Sequence, residues 1–451
     1  MVPKSLLEPI TGTEVLVHRS MSRRSAVALA SLTVVSLLAG CQTAPGTSGG
    51  TAGESAAAVD DGAQLTLWTR LAADSSLGRL VERYNATHRN QVKLTSVPGD
   101  SYLQKVGAAA GSQALPDLLA TDVVYASGLA SKNVLLDLTE RVSSLPFKNR
   151  LAPGPIAAST VEERLYALPA VVDVSALFYN KVLYKKAGLD PDKPPTTLAE
   201  EVAQAKKIHS LGADTAGYYF AGNCPGCNMF TGWPSVWADG KETLSADGAT
   251  ASLDSAASRA WLDAWHEMYA DKVVPATARQ ENGATWTAAF QAGTVGLQRF
   301  GALGYATLQQ NDKLSIGVTG IPGASGKQSA YVGGDVLGIS ATSSKARQAW
   351  DFVQWTLSQE AQVDVVAKGG ALPVRTDLAD NRYSAADPNI VKLNQLIATG
   401  RTPSSPTFGQ VFTDANGPWH KLFRDAVFSG ASPAALAKDN TAITTALRSE
   451  S

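Results

Sequence analysis

The residues from Arg164 to Leu189 constrain this chain more than any other stretch. They read as a short strand, a proline, a second and more apolar strand, and a basic amphipathic helix closed by Gly188. Proline has no backbone N–H to give a ladder, so Pro169 predicts a strand end or edge at which the chain changes course. Val171 to Tyr179 follows, rich in β-branched and aromatic residues and interrupted by a single acid, Asp173. From Asn180 to Gly188 the pattern predicts a helix, with cations in its last turn and glycine just past its end.

A chain of 451 residues is too long for one simple core, and two domains is the natural expectation. Apolar residues make up 44% and charged residues 18%, as in a globular protein. The formal net charge is -1, with Lys and Arg scattered among the acids. Nucleic acid needs a concentrated basic footprint, so that partner is excluded. Three cysteines and five histidines are too few for a His or Cys metal cluster, and neither a metal nor a cofactor is expected.

Residues 1 to 20 form no recognisable element, and Met21 is the expected initiator. Arg23 and Arg24 precede an apolar run from Ala26 to Ala39. The run is too short for a permanent span and the right length for a signal-peptide core. It ends Leu38-Ala39-Gly40-Cys41, which resembles the bacterial lipobox, where the cysteine thiol receives a diacylglyceryl group. Residues 1–41 are therefore expected to be a signal peptide with Cys41 lipidated; a buried cysteine after an apolar helix is the alternative. Residues 42–63, rich in Gly, Ser, Thr and Ala, predict a disordered tether.

Beyond it, Leu65 and Leu67 alternate with polar residues as in a strand, Leu77 to Tyr84 has helical spacing, and Gln91 to Val97 is a second strand. That order predicts a parallel βαβ unit. Tyr102 to Ala110 follows as a helix, then an apolar strand from Leu118 to Asp122. Thr196 or Thr197 caps a helix with acids three or four residues on. Leu253 to Asp271 forms an amphipathic helix with Trp261 and Trp265 in core-like places, and Lys345 to Leu357 another.

Ala167-Leu168-Pro169, Tyr179-Asn180-Lys181 and Lys185-Lys186-Ala187-Gly188-Leu189 together resemble the middle segment of the extracellular solute-binding proteins, family 1, the sugar-binding subunits of bacterial ABC importers. Pro116-Asp117, Phe290-Gln-Ala-Gly293, Val-Gly-Gly at 332–334 and Gly370-Ala-Leu-Pro-Val-Arg375 resemble further motifs of that family, with Leu198 where it usually has tryptophan. The resemblance covers roughly Gln64 to Leu447. It implies an α/β, two-lobe periplasmic-binding-protein-like fold of type II, its discontinuous lobes joined by a hinge with the ligand cleft between them. Residues 64–172 and 291–334 would form one lobe, and 173–290 and 335–451 the other. It further implies a non-catalytic, monomeric lipoprotein outside the cytoplasm that delivers a disaccharide or oligosaccharide to an ABC permease. Glycerophosphodiester binding is the alternative within that class; an extracytoplasmic glycosidase or thiol redox protein is the alternative outside it.

A sugar offers hydroxyls at its rim and apolar faces, so its site needs polar forks and a flat aromatic platform. Trp68 and Arg70, at the end of the first strand, meet ligand where open sheets do; a core tryptophan and a solvated arginine are the bland readings. Asp122 ends an apolar strand and Asp173 interrupts one, and a carboxylate there is costly to bury unless something donates to it. Both positions commonly line the cleft in the family. The opposing platform is expected from Trp233, Trp237 or Trp286, with Trp233 preferred because Gly232 and Pro234 suggest an exposed loop. Phe300, Gly334, Asp335 and Arg375 are carried over from family positions, Arg375 as a forked clamp with a domain-spanning salt bridge as its alternative.

With Cys41 lipidated, Cys224 and Cys227 are the remaining cysteines, in an oxidising compartment with a turn between them, and predict a structural disulfide. A thioredoxin-like redox site must open a helix that lowers the first thiol's pKa. Gly232 and Pro234 arrive too soon for a long helix, which weighs against it.

Overall fold

The computed structural model describes residues 57–449, apart from 310 and 312. Met21, Cys41 and the tether as far as residue 56 lie outside the described residues. The tether's expected end does not hold. Asn90 Oδ1 accepts the N–H groups of Gly62 and Ala63, and Asp60 accepts those of Arg89 and Asn90, so this stretch is fastened to the body.

The chain opens with strand β1 (Gln64–Thr69), helix α1 (Ser76–Thr87), β2 (Gln91–Ser96), α2 (Gly99–Gly111) and β3 (Leu118–Asp122). β1 lies parallel to both β2 and β3, as the βαβ pattern predicts. Ser75 caps α1 by accepting from Gly78, and Leu77, Leu80, Val81 and Tyr84 supply its buried stripe. After a short pair at Thr160–Val161 and Arg164–Leu165 comes β4 (Leu168–Asn180), thirteen residues long. Pro169 does not end it. Val336 stands opposite Pro169 and Asp335 opposite Val171, so Ala170 is an extra, unpaired residue of β4, and this bulge beside the proline absorbs the missing donor.

α3 (Lys181–Lys186) follows directly, capped by Asn180 and left through Gly188 at φ +65°. Then come α4 (Leu198–His209), β5 (Ala216–Tyr219), α5 (Pro225–Ala238) and α6 (Ala256–Ala270). Thr197 caps α4 while Glu200 reaches back to Thr196, a reciprocal cap. β6 (Val295–Gly301), α7 (Ala302–Leu308), β7 (Ile316–Thr319) and β8 (Val332–Ile339) follow. α8 (Ala346–Thr356), α9 (Pro388–Thr399), α10 (Pro418–Ser429) and α11 (Pro433–Arg448) close the chain.

The strands run β2-β1-β3-β8-β4-β6-β5, with β7 also on β4. Leu168 to Val174 of β4 pair with β8, and Ser175 to Asn180 pair with β6 and β7. β4 therefore belongs half to one strand group and half to the other. This pairing corrects the expected partition. Residues 295–301 join β5 and the second half of β4, whereas 332–339 return to β3. Both strands are buried along almost their whole length, so neither carries the polar face that would reveal its partner. A further passage runs beside β8, where Arg401 bonds Ala330 and Val332 through backbone groups.

α8 packs on α1, where Tyr84 meets Phe352 edge-on and donates to Asp351. Around α5, α6 and α10 the core is aromatic: Trp233, Trp261, Trp265 and Trp419 are all fully enclosed. Truncating one such ring costs about 3–5 kcal/mol.

Candidate functional site

Asp335 of β8 stands directly opposite Asp122 of β3 and also opposite Val171 of β4. Directly opposed residues of a ladder point to the same face, and Asp173 lies two residues beyond Val171, so all three carboxylates share one face of the sheet. Two like charges directly opposed repel, and Arg70 separates them. Its Nε donates to Asp335 Oδ1 at 2.7 Å, and its Nη2 lies 2.9 Å from Asp122 Oδ2. Arg70 can reach both because β1 ends at Thr69 and releases the chain beside β3.

The three members differ in burial. Asp335 is 1% exposed, whereas Asp122 and Arg70 are 28% and 30% exposed. Asp335 Oδ2 is buried without a hydrogen-bond partner among the described residues. Burial pushes the Asp335 carboxyl up to about 6 despite the nearby guanidinium, and Asp122 adds to the rise. Burial alone would lower the Arg70 guanidinium, but Asp122 and Asp335 outweigh it and hold the charge.

Asp173 takes its donors from α7. The N–H of Leu303 reaches its Oδ1 at 3.0 Å, and burial still raises its carboxyl to about 6. Gly301 makes this approach possible, since a Cβ there would lie 2.1 Å from Asp173 Oδ2. Beside it Leu303 is 47% exposed, one of three exposed large apolar side chains among the described residues.

Three tyrosines close the face. Tyr102, Tyr125 and Tyr331 are raised by burial first and then by the nearby acids, Asp335 for Tyr102 and Asp122 for the other two. Tyr331 Oη is buried and unpartnered, like Asp335 Oδ2. Tyr125 Oη lies 3.3 Å from Thr413 Oγ1, and Gly409 packs on the same ring, so the C-terminal segment meets the first strand group here. Sequence reasoning missed these tyrosines. Tyr125 stands three residues beyond Asp122, a proximity that could have found it.

The other expected residues divide. Trp68 is half-buried and carries the Lys105 ammonium 4.3 Å from its ring centroid. Trp286 is half-buried, and its carbonyl accepts from Gln298 Nε2. Gly334 sits at φ +107° with room for no Cβ, which would stand 2.1 Å from Val171 O. Trp233 is not in an exposed loop. It lies inside α5, which runs through Gly232 and Pro234, packed among Phe412 and Trp419 with no exposed surface. Trp237, in the same helix, is also buried and donates to Thr243. Phe300 is enclosed as well, stacked on Phe178 at 3.8 Å. Arg375 spans no cleft: it forks onto Asp377, bonds Leu357 O and covers the Phe147 ring. Cys224 and Cys227 are joined as a disulfide.

Two cavities lie elsewhere. One of about 440 Å³ is bounded by Trp237, Glu242, Arg401 and Ser404, and one of about 360 Å³ by His209, Tyr219 and Lys272. Neither is lined by the carboxylates. Among the described residues no helix is long and apolar enough to cross a membrane, and no cluster of ligating side chains could hold a metal ion.

The sequence profile of a family described as bacterial extracellular solute-binding protein matches residues 79–392. A putative binding protein of Brucella abortus is 23% identical over 307 residues, which cover 68% of this chain and 74% of that protein. Over 72 residues the chain is 39% identical to an sn-glycerol-3-phosphate-binding periplasmic protein of Brucella abortus, covering 16% of this chain and 17% of that one. Among solved structures, the cyclic alpha-maltosyl-1,6-maltose binding protein from Arthrobacter globiformis superposes with a TM-score of 0.74 at 22% identity. The match covers 85% of this chain and 99% of that chain. At such identity the likeness speaks for the fold, a two-lobe α/β architecture of the type II periplasmic-binding-protein kind.

Proposed function

The chain belongs to the bacterial extracellular solute-binding proteins, and on that premise we propose that it captures a disaccharide or oligosaccharide and delivers it to an ABC permease. Capture proceeds by hinge closure: a ligand that touches both strand groups stabilises the closed state by its differential affinity for it. Cys41, lipidated, holds the protein at the outer face of the membrane, and it works as a monomer.

The observation that supports a polyhydroxylated ligand is the unpartnered Asp335 Oδ2 beside Arg70 and Asp122, on the face shared with Asp173. Carboxylates accept from hydroxyls, and Arg70 donates to them. The contact residues in this reading are Arg70, Asp122, Asp173 and Asp335, with Leu303, Trp68 and Trp286 offering apolar faces. No bond is broken. A glycosidase would need an acid and a base or nucleophile at a set separation, whereas these three acids share one guanidinium and one helix terminus.

The 72-residue likeness to an sn-glycerol-3-phosphate-binding protein favours a second reading, a glycerol phosphate or its diester. A phosphate seeks unpaired cations and backbone N–H groups. Arg70, already held by two carboxylates, argues for the neutral solute. Thermal melting of the protein with disaccharides, oligosaccharides, glycerol-3-phosphate, glycerophosphodiesters and polyamines separates the two. At a hundred times its dissociation constant a ligand adds about 2.7 kcal/mol. A shift with one sugar class and no product formed supports capture; a shift with the glycerol phosphates or phosphodiesters alone sinks the sugar reading.

A further inference from the structure

The Cys224-Pro225-Gly226-Cys227 motif is left unused by solute capture. Gly232 and Pro234 predict only a short helix after this motif, and the helix is not short. Cys224 is the N-cap of α5 and Pro225 its first residue, and α5 runs fourteen residues to Ala238. The N–H of Cys227 donates to Cys224 Sγ at 3.2 Å. A thiol at such a terminus has its thiolate stabilised by free N–H groups and by the positive end of the helix dipole.

Three further observations bear on exchange. Both cysteines are only half-buried. The backbone of the turn from Glu281 to Thr285 lies against the sulfurs: a Cβ on Gly283 would stand 2.9 Å from Cys227 Sγ and 3.1 Å from Cys224 Sγ. That turn covers one side of the disulfide. The third is that the fold does not hang on the bond. Trp419 Nε1 donates to Pro225 O at 3.0 Å and Trp233 anchors the next turns, so the start of α5 stays in place with the sulfurs apart. A disulfide that closes so short a ring constrains the unfolded chain little.

Charged groups of both signs lie near the pair. Arg424 bonds Gly222 O, Asn223 Oδ1 and Arg279 O, which brings its guanidinium to the turn that leads into Cys224. Glu281 is the opposing acid, and its carboxylate is engaged by Gly283 and Thr285.

We propose that Cys224–Cys227 is a thiol–disulfide exchange site for a dithiol partner, with Cys224 as the exchanging sulfur. A partner thiolate attacks Cys224 Sγ, the S–S bond breaks, and Cys227 leaves as a thiolate that takes a proton from water. The partner's second thiolate then attacks its own sulfur in the mixed disulfide and releases Cys224 as a thiolate. Two electrons pass from the dithiol to the cysteine pair, and one disulfide is made for the one consumed.

The test uses the full chain. It is incubated natively with dithiothreitol and trapped with iodoacetamide, and the peptide holding Cys224 and Cys227 is read by mass spectrometry while circular dichroism follows the fold. Full alkylation of a folded chain is expected. In Cys227→Ser, the rate of Cys224 alkylation should inflect at about pH 7.5 or lower; in Cys224→Ser, Cys227 should inflect near the ordinary value of about 8.5. Should either variant misfold, the reduced natural chain gives the first inflection directly. A disulfide that resists dithiothreitol until the chain is unfolded, or a Cys224 inflection at about 8.5 or above, overturns the proposal.

Discussion

Arg299 and Arg70 each bind carboxylate in the interior, and the two sites are finished differently. Arg299 and Glu201 are both 1% exposed. Its Nε and Nη2 fork onto the two Glu201 oxygens, and Nη1 donates to Thr231 O and Ser235 Oγ. The Trp265 ring covers the guanidinium. Arg70 instead faces two acids with a third nearby, keeps 30% of its surface, and leaves Asp335 Oδ2 without a partner. The first arrangement is complete within the chain and fixes α4 to β6. The second has acceptors to spare, and that surplus is what a ligand's hydroxyls can use.

The largest effect should come from breaking the finished site. Arg299→Ala leaves Glu201 buried and uncompensated and should cost about 3–5 kcal/mol in chemical denaturation. A loss no greater than that of a surface substitution would erase the distinction drawn between the two arginines.

Next in size is the pH response of the unfinished site. Asp335 rises from 3.8 to about 6 on folding, so between those values the folded chain holds a proton that the unfolded chain has released. Stability therefore falls as pH rises through that window, and above it the cost is complete at about 3 kcal/mol. Asp173, raised to about 6 as well, acts with the same sign. Melting of the natural chain and of Asp335→Asn between pH 4.5 and 7.5 checks this. The variant should lose most of the decline, and parallel curves would remove Asp335 as its source.

Arg70→Ala should cost less than Arg299→Ala, about 1–3 kcal/mol, because a neighbour already near neutrality can take up a proton. Calorimetric titration with the solute found in the melting panel should show at least a tenfold loss of affinity, about 1.4 kcal/mol. Unchanged affinity would move the contact away from the triad. The smallest effect is Lys105→Ala, which removes the cation over Trp68 and should cost about 0.5–1 kcal/mol. A ligand that stacks on the freed ring would bind this variant more tightly than the natural chain.

Much of the fold is legible in the sequence where the cause is local. The α1 stripe, the Thr197 cap and the Asn180-to-Gly188 helix follow from spacing and end residues, and each stands where the pattern puts it. Pro169 misleads because a bulge at Ala170, visible only against the register of a partner strand more than 160 residues away, lets the strand continue through it. Trp233 misleads because a glycine and a proline were weighed as helix breakers, whereas the rings around α5 hold the helix through both. At the site, Arg70, Asp122, Asp173 and Asp335 are readable as charged residues in apolar company, and the tyrosines that close over them are not.

By itself the sequence determined the locally patterned helices and strands and the acids that had to be answered by some donor, since periodicity, capping and the cost of buried charge act within a few residues. Tertiary structure alone decided which strands share a sheet half, that Arg70 answers Asp335 across 265 positions, and that Phe300 and Arg375 turn inward. Those outcomes depend on which distant surfaces meet, and a buried strand or a lone arginine looks the same in sequence whichever partner it finds.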